Sequence, residues 1–321
     1  MTVMTSPALR VATLPRIPDW ATAIRLPATI GDTPLLPLRR VSAHLPPGVE
    51  VWAKAEWFNL SGSVKARPAW FILQAALRQG ALPSRRLIDA TSGNTGIAYA
   101  TLGATLGVSV TLVLSTKASP ERIALLRALG AEVRILDAEG GPDALRAEVE
   151  RLVAAHPERY HDARQHFTPF NWLAHYLTTG PEIWRQTEGR VTHFVAGVGT
   201  GGTLMGVGAY LRQRCPGVQV VAVQPDRGEH HIEGLRHLPS VKRFGFYRPG
   251  FEDEVEWVST SEAEAMALRL AREEGLFVGV SSGAAVAAAL RVASKIERGV
   301  VVTVLPDGGE KYLSRPFWGE A

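Results

Sequence analysis

Arg86-Leu87-Ile88-Asp89-Ala90-Thr91-Ser92-Gly93-Asn94-Thr95-Gly96 runs from an apolar strand through a hydroxyl- and amide-rich turn into the start of a helix. Residues 86–90 read as a strand, 95–106 as a helix and 108–114 as a second strand rich in β-branched residues. Two strands joined by a helical crossover run parallel. The alternation continues in both directions. Strands are predicted over 49–55, 132–136, 191–196, 218–223 and 300–305, and helices over 64–78, 121–129, 143–155, 204–214, 261–274 and 284–295. Gly130 suits a helix C-cap, and Thr260-Ser261-Glu262 with Glu264 suits a capped helix start. A helical stretch over 170–188 joins the two halves. The fold expected is α/β, with two doubly wound lobes of parallel sheet covered by helices. The smaller, mobile lobe spans 44–160; the larger combines 1–43 with 161–321. Ligands of such folds bind outside the carboxyl ends of the strands, so the cleft between the lobes is the place to look.

Composition narrows the classes. The 321 residues are 46% hydrophobic and 21% charged, ordinary for a soluble globular protein, and are long enough for two domains. The net charge of +4 is mild and no basic tract reaches five residues, which speaks against a nucleic-acid partner and for anionic small molecules. Cys215 is the only cysteine, so no internal disulfide and no thiolate metal site is expected. No metal site is expected at all, and a reducing, cytoplasmic location fits. No window reaches eighteen uninterrupted apolar residues, so no membrane span is expected. Prolines at 7, 15, 18, 27 and 34 suit an extended arm over the first thirty residues, not a signal peptide.

Three further stretches carry chemistry. Lys65, in Gly62-Ser63-Val64-Lys65, sits where a loop enters a helix, and it is one of only six lysines in the chain. The positive end of the helix dipole lowers the pKa of such an amine and favours a Schiff base, although taken alone it reads as a surface lysine. The Thr91–Gly96 turn offers free N–H groups, hydroxyls and the Asn94 amide at a helix start, a ready carboxylate site; turns and caps use the same residue types. Gly197-Val198-Gly199-Thr200-Gly201-Gly202 satisfies G-x-G-x-x-G, with Asp226 some way on, and so matches the dinucleotide fingerprint. The hydroxyls of Thr200 and Thr203 suit a phosphate monoester instead, and Lys65 and Asn94 have no task in a dinucleotide site. The expectation is therefore pyridoxal phosphate, with an aldehyde for Lys65 and one phosphate for Gly199, Thr200, Gly201, Gly202 and Thr203. Ser281, in Ser281-Ser282-Gly283, could meet the pyridine nitrogen with a hydroxyl. That leaves the nitrogen unprotonated and suits β-elimination; alone, the stretch is a plain N-cap.

These stretches also carry a resemblance. Ser63-Val64-Lys65, residues 91–98, His175-Tyr176-Leu177-Thr178-Thr179-Gly180-Pro181-Glu182-Ile183-Trp184, Thr192-His193-Phe194-Val195, residues 199–203, Val280-Ser281-Ser282-Gly283 and Tyr312-Leu313-Ser314 resemble the cysteine synthase (O-acetylserine sulfhydrylase) family of fold-type II pyridoxal phosphate enzymes, whose lobes are like those of the tryptophan synthase β subunit. The likeness is greatest to the cysteine synthase B branch and runs from about residue 30 to 315. It implies that Lys65 carries the cofactor and acts as base at Cα. It further implies that Asn94 bonds the ring hydroxyl, that Thr91, Ser92, Thr95 and Gln165 hold the substrate carboxylate, and that Ser281 faces the ring nitrogen. The implied reaction is β-substitution, by way of an aminoacrylate, of O-acetylserine by sulfide, thiosulfate or another thiol, in a homodimer. Closure of the smaller lobe would shield the intermediate from water.

The chain departs from that pattern in three places. Leu60 follows Asn59 where proline is usual, and Ala66 follows Lys65 where aspartate is usual. Pro306-Asp307-Gly308-Gly309-Glu310 replaces the branch's Cys-Asp-Arg-Gly-Asp. Arg236, in Ile232-Glu233-Gly234-Leu235-Arg236, resembles an arginine that takes the phosphate of O-phosphoserine, which keeps that donor open, with an exposed loop residue as the plain alternative. Cystathionine β-synthase and cysteine desulfhydrase activities are open on the same scaffold, as is a catalytically silent binding or regulatory relative, against which intact Lys65, Asn94 and Ser281 speak.

Overall fold

A computed structural model describes residues 19–137, 141–241 and 245–319. Two sheets organise it. The smaller has the order β5-β4-β3-β6 and comprises β3 (Arg86–Ala90), β4 (Val110–Ser115), β5 (Glu132–Leu136) and β6 (Tyr160–Asp162), all parallel. The larger has the order β1-β2-β10-β7-β8-β9, from β1 (Leu35–Pro37), β2 (Gly48–Ala55), β7 (His193–Gly197), β8 (Gln219–Pro225), β9 (Glu254–Val258) and β10 (Arg298–Leu305). Only β1 runs antiparallel there. β10 is buried from Gly299 to Leu305, as a central strand covered on both faces must be.

The expected alternation holds, with shifts of a few residues at the ends. The crossover helices include α1 (Ala66–Arg78), α2 (Asn94–Leu106), α3 (Pro120–Ala128) and α4 (Gly141–Ala155). The linking stretch is α5 (Phe170–Ala174), a π-helical turn (His175–Thr179) and α6 (Gly180–Gln186). Beyond it come α7 (Gly202–Arg214), α8 (Thr260–Glu273) and α9 (Val280–Ser294). Ser119 caps α3, and Gly130 past its end takes φ +81°. The cap of α8 is Ser259, one residue before the expected Thr260, because it is the Ser259 hydroxyl that accepts from Glu262 N. Ser281 and Ser282 lie inside the first turn of α9 instead of capping it, since Gly279 takes the extended cap position.

The expected boundary at residue 44 does not follow the sheets. β2 pairs along its whole length with β10, so the strand read at 49–55 belongs to the larger sheet and the smaller sheet occupies 86–162. Apolar periodicity marks a strand but not its partner. Of the expected N-terminal arm, residues 1–18 lie outside the described residues, and Asp19–Ala23 is a short 3₁₀ turn. No helix among the described residues is long and apolar enough to cross a membrane, and none of their His, Cys, Asp and Glu side chains cluster to hold a metal ion.

Candidate active site

A cavity of about 290 Å³ opens between the sheets at the carboxyl ends of β3, β7 and β10. Lys65, Thr91, Asn94, Thr95, Gln165, Gly199, Thr200, Gly201, Gly202, Thr203, Arg236 and Ser281 all line it. Ser92 is the one expected site residue that does not, although it is only half-buried beside Thr91.

Lys65 holds the N-cap position of α1. Its Nζ has no hydrogen-bond partner among the described residues. Burial depresses the pKa of the amine, against the pull of Asp307 and Glu56. A lysine whose pKa is lowered by burial and whose amine is unpaired in a cleft is suited to attack a carbonyl. The helix behind it is anchored by charge. Arg67, fully buried, grips Glu56 through Nε and Nη2, both at 2.7 Å. It grips Glu182 through Nη1 at 2.6 Å and Nη2 at 2.8 Å. Lys54, also fully buried, meets Glu182 at 2.7 Å. Two cations and two carboxylates thus cancel inside the core. Burial alone would raise the Glu56 carboxyl, but Arg67 outweighs it and holds that pKa at about 2.

The 199–203 loop is shaped by what cannot fit beside it. A side chain on Gly199 would run into Gly234 O, and one on Gly202 into the Asn171 carboxamide. Gly201 takes φ +84°, and a Cβ there would lie 2.5 Å from the Tyr247 ring. The loop opens α7 with no side-chain cap, so its N–H groups and the helix dipole face the cavity. Thr200 and Thr203 differ. The Thr200 hydroxyl donates toward Asn171 Oδ1 at 3.4 Å and accepts from Gly202 N, whereas among the described residues the Thr203 hydroxyl meets only His175 Nε2, at 3.3 Å.

Opposite stands the turn into α2. Thr95 Oγ1 donates to Gln165 Oε1 at 2.8 Å, which leaves the Gln165 amide protons free. Asn94 is engaged: Nδ2 donates to Asp307 Oδ2 at 2.7 Å, and Oδ1 accepts from Lys311 Nζ at 2.9 Å. One of its two amide protons remains for a ligand. Tyr312 OH also donates to Asp307 Oδ2, at 2.6 Å, and Lys311 Nζ reaches Gly62 O. Burial raises the Asp307 carboxyl above its usual pKa, with Lys311 opposing. The segment that departs most from the expected pattern therefore clasps Asn94.

At the rim, Arg122 of α3 pairs with Glu233 at 2.6 Å. The guanidinium of Arg236 has a single partner among the described residues, His166 Nε2 at 3.1 Å. Burial, then the charges of Arg236, Lys65 and Arg146, push the His166 pKa down to about 3, so the ring is neutral; no carboxylate among the described residues forms an ion pair with Arg236, although Asp143 acts on it from farther off. Arg122, His166 and Lys311 escape a reading of the sequence, whereas Glu233, Asp307 and Tyr312 stand in stretches it singles out without giving them a role at the site.

The donor set suits pyridoxal phosphate: an unpaired amine, a glycine loop that its neighbours Gly234, Tyr247 and Asn171 leave no room to substitute and whose helix start faces the cavity, and a serine hydroxyl at the third corner. Residues 26–307 match the family described as pyridoxal-phosphate dependent enzyme. The chain belongs to that family. It is 45% identical to a cysteine synthase of Aquifex aeolicus over 297 residues, covering 91% of each chain. It is 43% identical to a cysteine synthase B of Salmonella typhimurium over 298 residues, covering 92% of this chain and 96% of that one. The crystal structure of O-acetyl serine sulfhydrylase isoform 3 from Entamoeba histolytica superposes with a TM-score of 0.86 at 35% identity, over 99% of this chain and 94% of that one.

Proposed function

We propose that this pyridoxal phosphate enzyme makes L-cysteine from O-acetyl-L-serine and sulfide or thiosulfate. The observation that carries the reading is the unpaired Lys65 amine lining the same cleft as the glycine cradle, in a chain so similar to cysteine synthases. Lys65 would hold the cofactor through Nζ, the 199–203 loop its phosphate, Asn94 its ring hydroxyl and Ser281 its ring nitrogen. When bound, the cofactor supplies an electron sink that lets the substrate's Cα–H and then its Cβ–O bond break. Lys65 would then act as base and take the Cα proton onto Nζ, since burial lowers its pKa and favours the unprotonated amine. Thr91, Thr95 and Gln165 bind the substrate carboxylate beside the N–H groups of α2. Ser92 joins them as the smaller lobe closes and water is excluded. The protein works as a cytoplasmic homodimer on this reading, with light scattering as the check on the dimer.

A second reading rests on Arg236. A half-buried guanidinium whose hydrogen-bond partner among the described residues is a neutral imidazole suits a dianionic leaving group, which would make O-phosphoserine the donor. The purified protein is expected to be yellow and to lose its visible band with borohydride. O-acetylserine and O-phosphoserine are then supplied separately with sulfide, and cysteine is measured. Cysteine from neither donor would defeat both readings; a colourless protein that binds no cofactor would mean a catalytically silent relative.

A further inference from the structure

The π-helical turn 175–179 lies behind the cradle, and its side chains bear on a question that heavy-atom positions leave open: which way the hydroxyl of Thr203 points. His175 is 1% exposed, with both ring nitrogens engaged. Nδ1 lies 2.9 Å from Thr179 Oγ1 and Nε2 lies 3.3 Å from Thr203 Oγ1. Burial, with Arg67 next, pushes the ring's pKa down to about 3, so it holds one proton at neutral pH. Thr179 settles which nitrogen carries it. Its side chain is fully buried, and among the described residues its hydroxyl has no acceptor but His175 Nδ1. A buried hydroxyl with one acceptor donates to it. Nδ1 therefore accepts, Nε2 carries the proton, and Nε2–H donates to Thr203 Oγ1. The Thr203 hydroxyl, its oxygen already serving as acceptor, is left to donate into the cavity that it lines.

We infer that His175, fixed by Thr179 as the Nε2–H tautomer, is a positioning residue that commits the Thr203 hydroxyl to donate to the cofactor's phosphate. Thr200 has no such role, because its proton is turned to Asn171. The same turn touches the other end of the site, since Thr178 Oγ1 accepts from Arg67 Nη1 at 3.1 Å. One irregular turn thereby braces both the phosphate loop and the helix behind Lys65, a use for which π-helical turns are suited.

The inference rests on reading the 199–203 loop as the phosphate site, and its test separates the two. In the histidine-¹⁵N-labelled holoenzyme at pH 7, His175 Nδ1 should resonate as an unprotonated nitrogen and Nε2 should carry the proton. A protonated Nδ1 overturns the inference with no substitution made. Cofactor affinity, read by titrating the apoenzyme, should fall about ten- to a hundredfold in Thr203→Val, the range for a hydrogen bond to a charged group. It should fall about three- to tenfold in His175→Leu and Thr179→Val, with the ³¹P resonance of the bound phosphate moving toward that of free cofactor. His175→Gln, whose amide N–H can replace Nε2–H, should restore both. Loss in Thr203→Val with no change in His175→Leu overturns the relay alone. No loss in Thr203→Val or in Gly201→Val overturns the phosphate site beneath it.

Discussion

The two walls of the cleft are built differently. The wall with Lys65 and the 199–203 loop is backed by groups deep in the core: the Arg67, Glu56, Glu182 and Lys54 cluster, Asn171, Tyr247 and His175. The wall with Thr91, Asn94 and Thr95 is held by partners that reach across the cleft, with Asp307 and Lys311 on Asn94 and Glu233 on Arg122. The first wall is organised before any ligand arrives, and the second depends on how the two sheets sit together. Anchoring and recognition are thus assigned to separate materials, which substitutions can separate.

The largest effect expected is on the anchoring wall. Lys65→Ala should reduce cysteine formation by on the order of 10³-fold or more with either donor, because on the proposed reading one amine both holds the cofactor and moves the Cα proton. Turnover near that of the unaltered enzyme, measured as cysteine released, would remove Lys65 from the centre. Arg67→Met leaves Glu56 and Glu182 buried without their shared cation, so urea denaturation should show a loss of about 3–5 kcal/mol. A loss under about 1 kcal/mol would mean that the cluster does not anchor α1.

Arg236→Ala probes recognition instead. It should lower kcat/KM for O-phosphoserine about ten- to a hundredfold and spare O-acetylserine, the range for a hydrogen bond to a charged group. Equal losses on both donors would make Arg236 structural.

The smallest effect concerns the strand beneath the recognition turn. Asp89, on β3, has a buried Oδ2 with no partner, and burial, then Asp162, raises its pKa to about 7. Between pH 3.8 and 7 the folded protein holds a proton that the unfolded chain has released, so this group's contribution to stability shrinks as pH rises through that window. Asp89→Asn should therefore stabilise the protein at pH 8 and change little at pH 4. Melting temperatures at the two pH values are the check, and an equal shift at both would assign the effect to packing.

What the sequence made legible is local. Lys65, the glycine loop, the Thr91–Gly96 turn and the strand–helix alternation are patterns each contained in a dozen residues. The recognition wall joins Asn94 to Asp307 and Lys311, and Arg122 to Glu233, pairs with no local signature. The strand at 49–55 shows the same limit at the level of fold, since its periodicity names the element but not the sheet. The π turn left no trace because Phe170–Gln186 has ordinary helical periodicity. The Arg67 cluster leaves no local pattern: Lys54, Glu56, Arg67 and Glu182 come from separate elements and meet only in the fold.

The place of β10 also bears on how the molecule is made. The smaller sheet is complete once residue 162 has left the ribosome, and β7, β8 and β9 can pair as they emerge. β2, synthesised early, has only β1 beside it until residues 298–305 arrive, because β10 is its partner on one side and that of β7 on the other. A nascent chain therefore carries a divided larger sheet for most of its synthesis. The closing of that sheet brings Lys65 and the 199–203 loop into one site, so the pocket is completed only when the last strand is in place.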